Sequence, residues 1–230
     1  MSIFKRKNTI NFNQIKNTKK IKINISTGMI ILSIIVLLIN YYMKNQSNLK
    51  QYFNQNYTIT IHGRNFVNNI EESEEIKEIT KKIIQKCNNE KDCEIDSMYK
   101  FVTNIPYIAN YSNKTKYPLE VIESNSGDCD ERSFLMASLL KAKKYKAILI
   151  FCKYKNQDHM FIAINKNKTE KKQSSYIEIE NEKYYIAETT WKDSYVGQYN
   201  EIDKKDYIGI YDIEAEEKIP LKKIKFIKNS

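Results

Sequence analysis

Glycine, proline and histidine are scarce in this sequence, which has five glycines, three prolines and two histidines. So few turn-forming residues exclude a linker rich in glycine or proline and leave few tight turns. A hydrophobic content of 41% and 17 tyrosines suit a folded globular protein rather than a disordered one. At 230 residues the chain is long enough for one domain with a sizeable core and an appendage.

Acidic residues are missing from positions 1–43, which hold seven of the 38 basic residues. The remaining positions have 31 basic and 28 acidic residues, so most of the net charge of +10 lies near the N-terminus. A nucleic-acid-binding domain would carry its basic excess on the folded part. The charge distribution therefore argues against a nucleic-acid partner.

Charge of either sign is missing from residues 23–43, which follow a basic tail, 1–22. As a helix, these 21 residues would span roughly 30 Å, the thickness of the hydrocarbon core of a bilayer. They predict a single transmembrane helix that anchors the chain in the lipid bilayer, with a cytoplasmic N-terminus and an extracytoplasmic remainder. A cleaved signal peptide is the alternative, although the basic tail is long and no small-residue cleavage site follows. Residues 44–56 predict a polar stalk, and 57–230 the folded domain.

CxxC pairs are also missing among the four cysteines, Cys87, Cys93, Cys129 and Cys152. Zinc ligation is therefore not expected, and we predict no metal and no cofactor. In an exported domain, Cys87 and Cys93 could close a short disulfide loop, and two free thiols are an equally open alternative. Cys152 lies in the strand-like run AILIFCKY and is interpreted as a packing thiol.

Hydrophobic spacing divides the folded part into helices followed by strands. The predicted elements are a strand (57–63), two helices (70–86 and 95–105), an irregular segment (106–124), a helix from Cys129, and strands in 146–155, 159–164, 175–180, 183–189, 204–213 and 220–227. This order predicts an α+β fold in which a helix packs on an antiparallel sheet.

The stretch SNSGDCDERSFLMASLL, residues 124–140, places Cys129 between two aspartates at the start of its helix. Asp128 fits the N-cap position, so Cys129 would lie in the first turn. Free backbone N–H groups and the helix dipole there favour a thiolate and could stabilise an oxyanion. Gly127 allows the backbone to approach closely. Because the flanking aspartates oppose a thiolate, a nearby imidazolium is required.

His159 and Glu188 are the candidates to complete such a site. His159 opens the run HMFIAI, whereas the other histidine, His62, follows a strand near the stalk and is interpreted as structural or surface. Glu188 ends an otherwise apolar strand, where a carboxylate needs a partner and could fix the tautomer of His159. The two residues meet only if their strands are antiparallel neighbours, because a simple meander would separate them by roughly 20 Å. We therefore expect residues 166–175 to form an excursion and 176–180 to continue the His159 strand.

Taken together, GDCDERSFLMASLLKA, DHMF and YYIAETTW resemble the transglutaminase-like superfamily, over about residues 95–200. The family pattern is Gly-x-Cys at a helix start, His at a strand start and Asp in an Asp-x-Thr sequence. The resemblance implies a fold related to papain and a catalytic triad, which falls on Cys129, His159 and Glu188. Glu188 departs from the commoner Asp, so the backbone must absorb one extra methylene.

Three aromatic residues lie near these motifs. Trp191 falls where the family often has an aromatic residue, and we interpret it as packing beside the site. Tyr107 and Tyr117 precede Cys129 at positions from which an oxyanion or substrate contact could come. Nothing in the sequence singles out either tyrosine.

The leading hypothesis is a membrane-anchored thiol hydrolase that cleaves peptide or amide bonds of a peptide or protein substrate outside the cytoplasm, through a thioester at Cys129. The same site would be a protein cross-linking acyltransferase if a lysine amine replaced water. A catalytically inactive module that binds a peptide or glycan is an alternative from another class. A buried thiol beside an unrelated histidine is the plainest alternative.

Overall fold

An antiparallel sheet with helices packed on one face dominates the part of the chain that the structure describes. The computed structural model describes residues 35–36, 58–61, 64–67, 69–111, 114–167, 174–198 and 202–228. Its helices are α1 (Glu74–Ile84), α2 (Lys91–Asn104), α3 (Pro118–Ser124) and α4 (Cys129–Ala142). Its strands are β1 (Thr58–Ile61), β2 (Arg64–Val67), β3 (Ala147–Tyr154), β4 (Gln157–Asn165), β5 (Tyr176–Ile179), β6 (Glu182–Ala187), β7 (Tyr207–Asp212), β8 (Glu217–Ile219) and β9 (Ile224–Ile227).

The chain divides into two compact units, Met1–Gln55 and Asn56–Ser230. The predicted transmembrane segment, 23–43, lies outside the described residues except for positions 35 and 36, and so do the stalk, 44–56, and His62. Within the described ranges, no helix has the length and apolar character needed to cross a membrane. The domain boundaries therefore stay predictions.

The main sheet has the strand order β8-β7-β3-β4-β6-β5-β9. Every neighbouring pair in it is antiparallel. β1 and β2 pair separately with each other. The expected α+β class with an antiparallel sheet is confirmed for the described residues.

Helix α4 lies at the centre of the fold. Its residues 131–140 are all buried, because α1, α2 and α3 pack against it from one side and β3 and β4 from the other. Leu135 and Leu139 join the core cluster formed with the helix-facing residues of the sheet. Alternate residues of β3 point to the opposite face, where Cys152 packs in a second apolar cluster, as a packing thiol would.

Two expectations about chain path were wrong. The segment 106–124 is not irregular throughout, because Pro118 begins the short helix α3 and Asn125, at φ 46°, ends it in the left-handed conformation. Residues 176–179 do not continue the His159 strand. They form β5 on the far side of β6, so that β6 lies between β4 and β5.

Because β6 lies between β4 and β5, the strands that carry His159 and precede Glu188 are still neighbours in the sheet. β4 and β6 are antiparallel neighbours, with Ile162 opposite Ala187 and Asn165 opposite Tyr184. The expected neighbourhood of the two strands is therefore confirmed, although the connection after β4 passes over one strand position instead of extending β4. Strand pairing is a non-local choice, and the alternation of β5 fits either place in the sheet.

Cys87 and Cys93 form a disulfide, which decides between the two alternatives left open by the sequence. The bridge links the turn after α1 to the first turn of α2. It therefore fixes the connection between two helices that pack against α4.

Replacing both residues, Cys87→Ala and Cys93→Ala, should lower the free energy of unfolding by about 2 kcal/mol, because the reduced loop regains its freedom in the unfolded chain. Urea denaturation followed by circular dichroism measures this change. The wild-type protein in excess reductant is the matched control, and its urea midpoint should equal that of the variant. Equal midpoints for the variant and the oxidised wild type would contradict the prediction.

Candidate active site

The N-terminus of α4 holds Cys129 in the first helical turn. Asp128 is the N-cap, as the sequence predicts: its carboxylate accepts from the backbone N–H of Glu131 at 3.2 Å, and Glu131 accepts from the N–H of Asp128 at 3.2 Å. This reciprocal pair fixes where the helix begins. Cys129 is partly exposed, so its sulfur is open to a substrate while its backbone lies at the positive end of the helix dipole.

Gly127 lets the chain enter the helix beside the segment that follows α2. Its N–H donates to the carbonyl of Pro106 at 3.2 Å, and its own carbonyl accepts from Ile108 at 3.2 Å. A Cβ at this position would lie 3.1 Å from side-chain carbons of both Arg132 and Val121. The close approach expected from the sequence is therefore real, and any larger residue would crowd the start of α4.

His159 and Glu188 meet across the β4–β6 pair. Nε2 of His159 lies 2.9 Å from Oε2 of Glu188. Continuing the register of the two strands by one residue puts Glu188 opposite Phe161, diagonal to His159. Diagonal neighbours lie roughly 7–8 Å apart, within reach of a long side chain. The extra methylene that distinguishes Glu188 from the commoner aspartate thus matches its diagonal position.

The protonated form of His159 is strongly favoured. Burial alone would lower the pKa of His159, but hydrogen bonds to Cys129 and Glu188, and the negative charges of both, outweigh burial and raise the pKa to about 10. Since Nε2 serves Glu188, Nδ1 is the ring nitrogen left for the sulfur. The structure thus brings Cys129, His159 and Glu188 together, with His159 between the sulfur and the carboxylate.

The two aspartates that flank Cys129 lie close together and interact electrostatically. Burial, followed by a hydrogen bond and repulsion from Asp130, raises the pKa of Asp128 to about 7. The sulfur of Cys129 lies 3.9 Å from Oδ1 of Asp130. The three side chains offer one ligand atom each within 4.8 Å of one another, yet exposed acidic groups commonly lie this close without a metal ion. We assign no metal or cofactor to them.

A small pocket of about 110 Å³ opens beside the sulfur. It is lined by Cys129, Asp130, Phe151, Cys152, Asp158, His159, Met160 and Ile208. Apolar side chains form much of its wall, and Asp130 and Asp158 form a polar part of it, with Asp158 paired to Lys153 at 2.6 Å. The pocket can therefore receive a small side chain next to the thiol.

The structure distinguishes the two upstream tyrosines. Tyr107 pairs with Gly127 in an isolated parallel bridge, and its ring is half exposed. Burial, followed by the charges of Cys129, Asp128 and Asp130, raises the pKa of Tyr107, which places its hydroxyl in the electrostatic environment of the site. Tyr117 instead precedes α3, where its N–H donates to Glu120. Trp191 is partly buried in the turn after Glu188, where its carbonyl accepts from Ser194 at 2.6 Å.

Ser133 and Thr190, which the sequence did not single out, support the candidate triad. Ser133, on α4, donates to the carbonyl of Met160 at 3.3 Å and lies 3.2 Å from the hydroxyl of Thr189. It thereby ties the cysteine helix to the neighbours of both His159 and Glu188. Thr190 donates its N–H, at 3.1 Å, and its hydroxyl, at 2.7 Å, to Oε1 of Glu188. The Asp-x-Thr pattern was the available signal for Thr190, whereas serine is too common for Ser133 to stand out.

Tyr99 holds the backbone at the carboxylate. Its hydroxyl donates to the carbonyl of Glu188 at 2.8 Å and lies 2.6 Å from the hydroxyl of Ser194. Because Tyr99 belongs to α2 and is 1% exposed, it anchors the turn after β6 to the helical layer. A tyrosine in an amphipathic helix gives no sign of this role in the sequence.

Replacing Glu188 with glutamine should lower the pKa of His159 from about 10 toward its ordinary value of 6.5, because an amide carries no negative charge to stabilise the imidazolium. NMR titration of the full chain with labelled histidine measures the midpoint. The stability that the raised pKa contributes is complete below pH 6.5 and is lost as the pH rises through about 10. Glu182→Gln, at the start of the strand that precedes Glu188, is the matched control, and equal midpoints in Glu188→Gln and the wild type would refute the prediction.

Comparisons with known proteins give distant structural likenesses. No family model matches the chain, and no curated protein matches it. Among solved structures, the chain is similar to a candidate cysteine protease from Cytophaga hutchinsonii, with 14% identity and a TM-score of 0.43, over 71% of this chain and 50% of that one. It is also similar to Legionella pneumophila LapG, with 12% identity, in an EGTA-treated form (TM-score 0.43, 60% of this chain and 80% of that one) and a calcium-bound form (TM-score 0.41, 61% and 76%). The chain thus spans half the length of the Cytophaga protein.

Proposed function

We propose that this chain is a membrane-anchored cysteine hydrolase that cleaves peptide or amide bonds outside the cytoplasm. The observation that supports it best is the meeting of Cys129, His159 and Glu188, with 2.9 Å between Nε2 of His159 and Oε2 of Glu188. Acyl transfer needs a nucleophile, a base and a carboxylate that orients the base. These three residues offer such a set, with His159 between the other two. A buried thiol beside an unrelated histidine would not require the carboxylate.

The proposed reaction begins with the thiolate of Cys129 and the imidazolium of His159. The sulfur attacks the substrate carbonyl, and the backbone N–H groups at the start of α4 stabilise the oxyanion that forms. His159 then donates its proton to the leaving amine as the C–N bond breaks, which leaves a thioester on Cys129 and a neutral ring. His159 next takes a proton from water, the resulting hydroxide attacks the thioester, and the carboxylic acid leaves as the thiolate returns.

Glu188 has an orienting role in this scheme. Its Oε2 fixes Nε2 of His159 as a donor, so Nδ1 faces the reacting atoms. Thr190 holds the other oxygen of the carboxylate in place. The carboxylate thus keeps the ring orientation constant while the ring changes its charge.

The proposed location rests on the sequence and on the disulfide. The uncharged stretch 23–43 after a basic tail favours an anchor with the folded domain outside the cytoplasm. The Cys87–Cys93 bridge supports this location, because disulfides persist in oxidising compartments. The substrate is a peptide or protein that reaches the domain there.

Cys129→Ala should abolish turnover, and His159→Gln should lower kcat by roughly 10²–10⁴-fold, the usual contribution of general acid–base catalysis. The full chain in mild detergent would be assayed against a peptide library, with cleavage followed by mass spectrometry. Glu182→Gln, at the start of β6, is a matched control that should retain activity. Cleavage by the Cys129→Ala variant at the wild-type rate would exclude the proposed nucleophile.

A lysine analogue added to the same assay separates the two acyl acceptors. For a hydrolase, the products should be free acids, with a mass gain of one water per cleavage. Incorporation of the amine as the dominant product would identify a cross-linking acyltransferase instead. Binding of library peptides without any turnover would favour the inactive module.

A reporter test addresses the proposed topology. Alkaline phosphatase, which is active only in an oxidising compartment, should be active when fused after residue 230 and inactive when the fusion protein lacks residues 1–43. A membrane-impermeant thiol reagent should label Cys129 in intact cells that express the full chain. Labelling only after lysis would contradict an extracytoplasmic site.

A further inference from the structure

Arg132 is a buried cation, and two nitrogens of its guanidinium group have no hydrogen-bond partner within the described part of the chain. It is 1% exposed, and its Nε and Nη2 atoms are buried without any partner among the described residues. A buried charge without compensation is strongly unfavourable, so a position that retains one calls for a specific explanation.

The other buried polar side chains of α4 are satisfied by protein groups. Glu131 accepts from Asn110 at 2.6 Å and from the N–H of Lys116 at 3.0 Å. Ser138 donates to Phe134 and accepts from the N–H of Glu71 at 2.7 Å. Ser133 has the contacts with Met160 and Thr189 described above. Arg132 is the exception on a helix that otherwise pairs its buried polar groups.

The position of Arg132 relates it to the triad. It follows Cys129 by three residues and therefore lies on the same side of α4. Burial lowers the pKa of Arg132, and the negative charge of Glu188 is the largest influence that opposes this effect. Yet both oxygens of Glu188 are already engaged, one by His159 and the other by Thr190. Arg132 therefore interacts with Glu188 through its charge rather than through a direct hydrogen bond.

We propose that Arg132 is a positioning residue that balances the charge of Glu188, so that His159 can release its proton during catalysis. This inference rests on the proposed function. When His159 protonates the leaving amine, Glu188 loses its neighbouring cation while it stays buried, at 2% exposure. Arg132 supplies the second cation that keeps the carboxylate compensated in that state. Without Arg132, Glu188 would retain the proton on His159 more strongly and make it a weaker acid.

His159 has several other charged or titratable neighbours that also bear on its titration. They are Cys129 and Asp130 on α4, Cys152 and Tyr154 on β3, Asp158 on its own strand, and Glu188 after β6. Lys153, on β3, is a cation near this set and pairs with Asp158 at 2.6 Å. The charge of Arg132 interacts with Glu188, with Tyr99 on α2 and with Tyr107 after it. Removal of Arg132 therefore changes the charge balance at Glu188 in one direction.

NMR titration of His159 in the full-length Cys129→Ser background tests the proposal, because removing the sulfur, whose interaction raises the pKa of His159, brings the titration into an accessible range. Arg132→Met should raise the midpoint by about one pH unit, as expected when a buried cation that interacts with Glu188 is removed. Arg132→Lys should restore the parent midpoint. Lys141→Met is the matched control, because it removes a cation nine residues further along α4, beside Glu72 and Glu216, and it should leave the midpoint unchanged.

An unchanged midpoint in Arg132→Met, or a raised one in Arg132→Lys, would overturn the proposal. If Arg132→Met does not fold, the double variant with Glu188→Gln decides, because removing the uncompensated carboxylate should restore folding. A double variant that stays unfolded would show that Arg132 only packs. None of these measurements depends on turnover, so their failure is distinguishable from failure of the proposed hydrolase activity.

Discussion

The complete burial of helix α4 is the constraint on which the rest of the site depends. A helix enclosed by three other helices and two strands has no freedom to slide or rotate, so the position of its first turn is fixed to within the packing of its core residues. Burial also favours partners for its polar side chains, and those other than Arg132 have them among the described residues. One of these, Ser133, finds them next to both other members of the candidate triad. The packing that buries α4 in the core therefore also aligns Cys129 with His159 and Glu188.

The sheet adds the second half of the alignment. β4 and β6 are adjacent and antiparallel, so residues near the start of one strand meet residues just beyond the end of the other. His159 lies within the regular strand and keeps its backbone pairing, whereas Glu188 follows the last paired residue and is held by Tyr99 and Thr190. His159, which must change its charge, thus has the more rigid backbone. The longer side chain of Glu188 spans the diagonal distance between the two strands.

Residues with distinctive chemistry at the boundary of an element could be predicted from the sequence, and this explains why Cys129, His159 and Glu188 could be named. The requirement that they meet also predicted that their strands are antiparallel neighbours. The sequence could not predict how the chain achieves this, because the choice between extending β4 and inserting β6 depends on pairing between distant residues. Nor could it reveal Arg132. In the sequence this residue stands in the run DER, which is typical of a solvent-exposed helix start. In the structure it is buried.

The aspartates beside Cys129 oppose a negative charge on the sulfur most strongly when both are fully charged. Asp128 must accept a hydrogen bond to cap α4, and either protonation state retains an oxygen that can do so. Burial and its neighbour Asp130 raise the pKa of Asp128 to about 7, so near neutral pH the pair carries less than two negative charges. The imidazolium of His159, with its pKa raised to about 10, is meanwhile almost fully charged. At neutral pH a charged imidazolium therefore lies beside the sulfur of Cys129, while the helix keeps the cap that positions the sulfur.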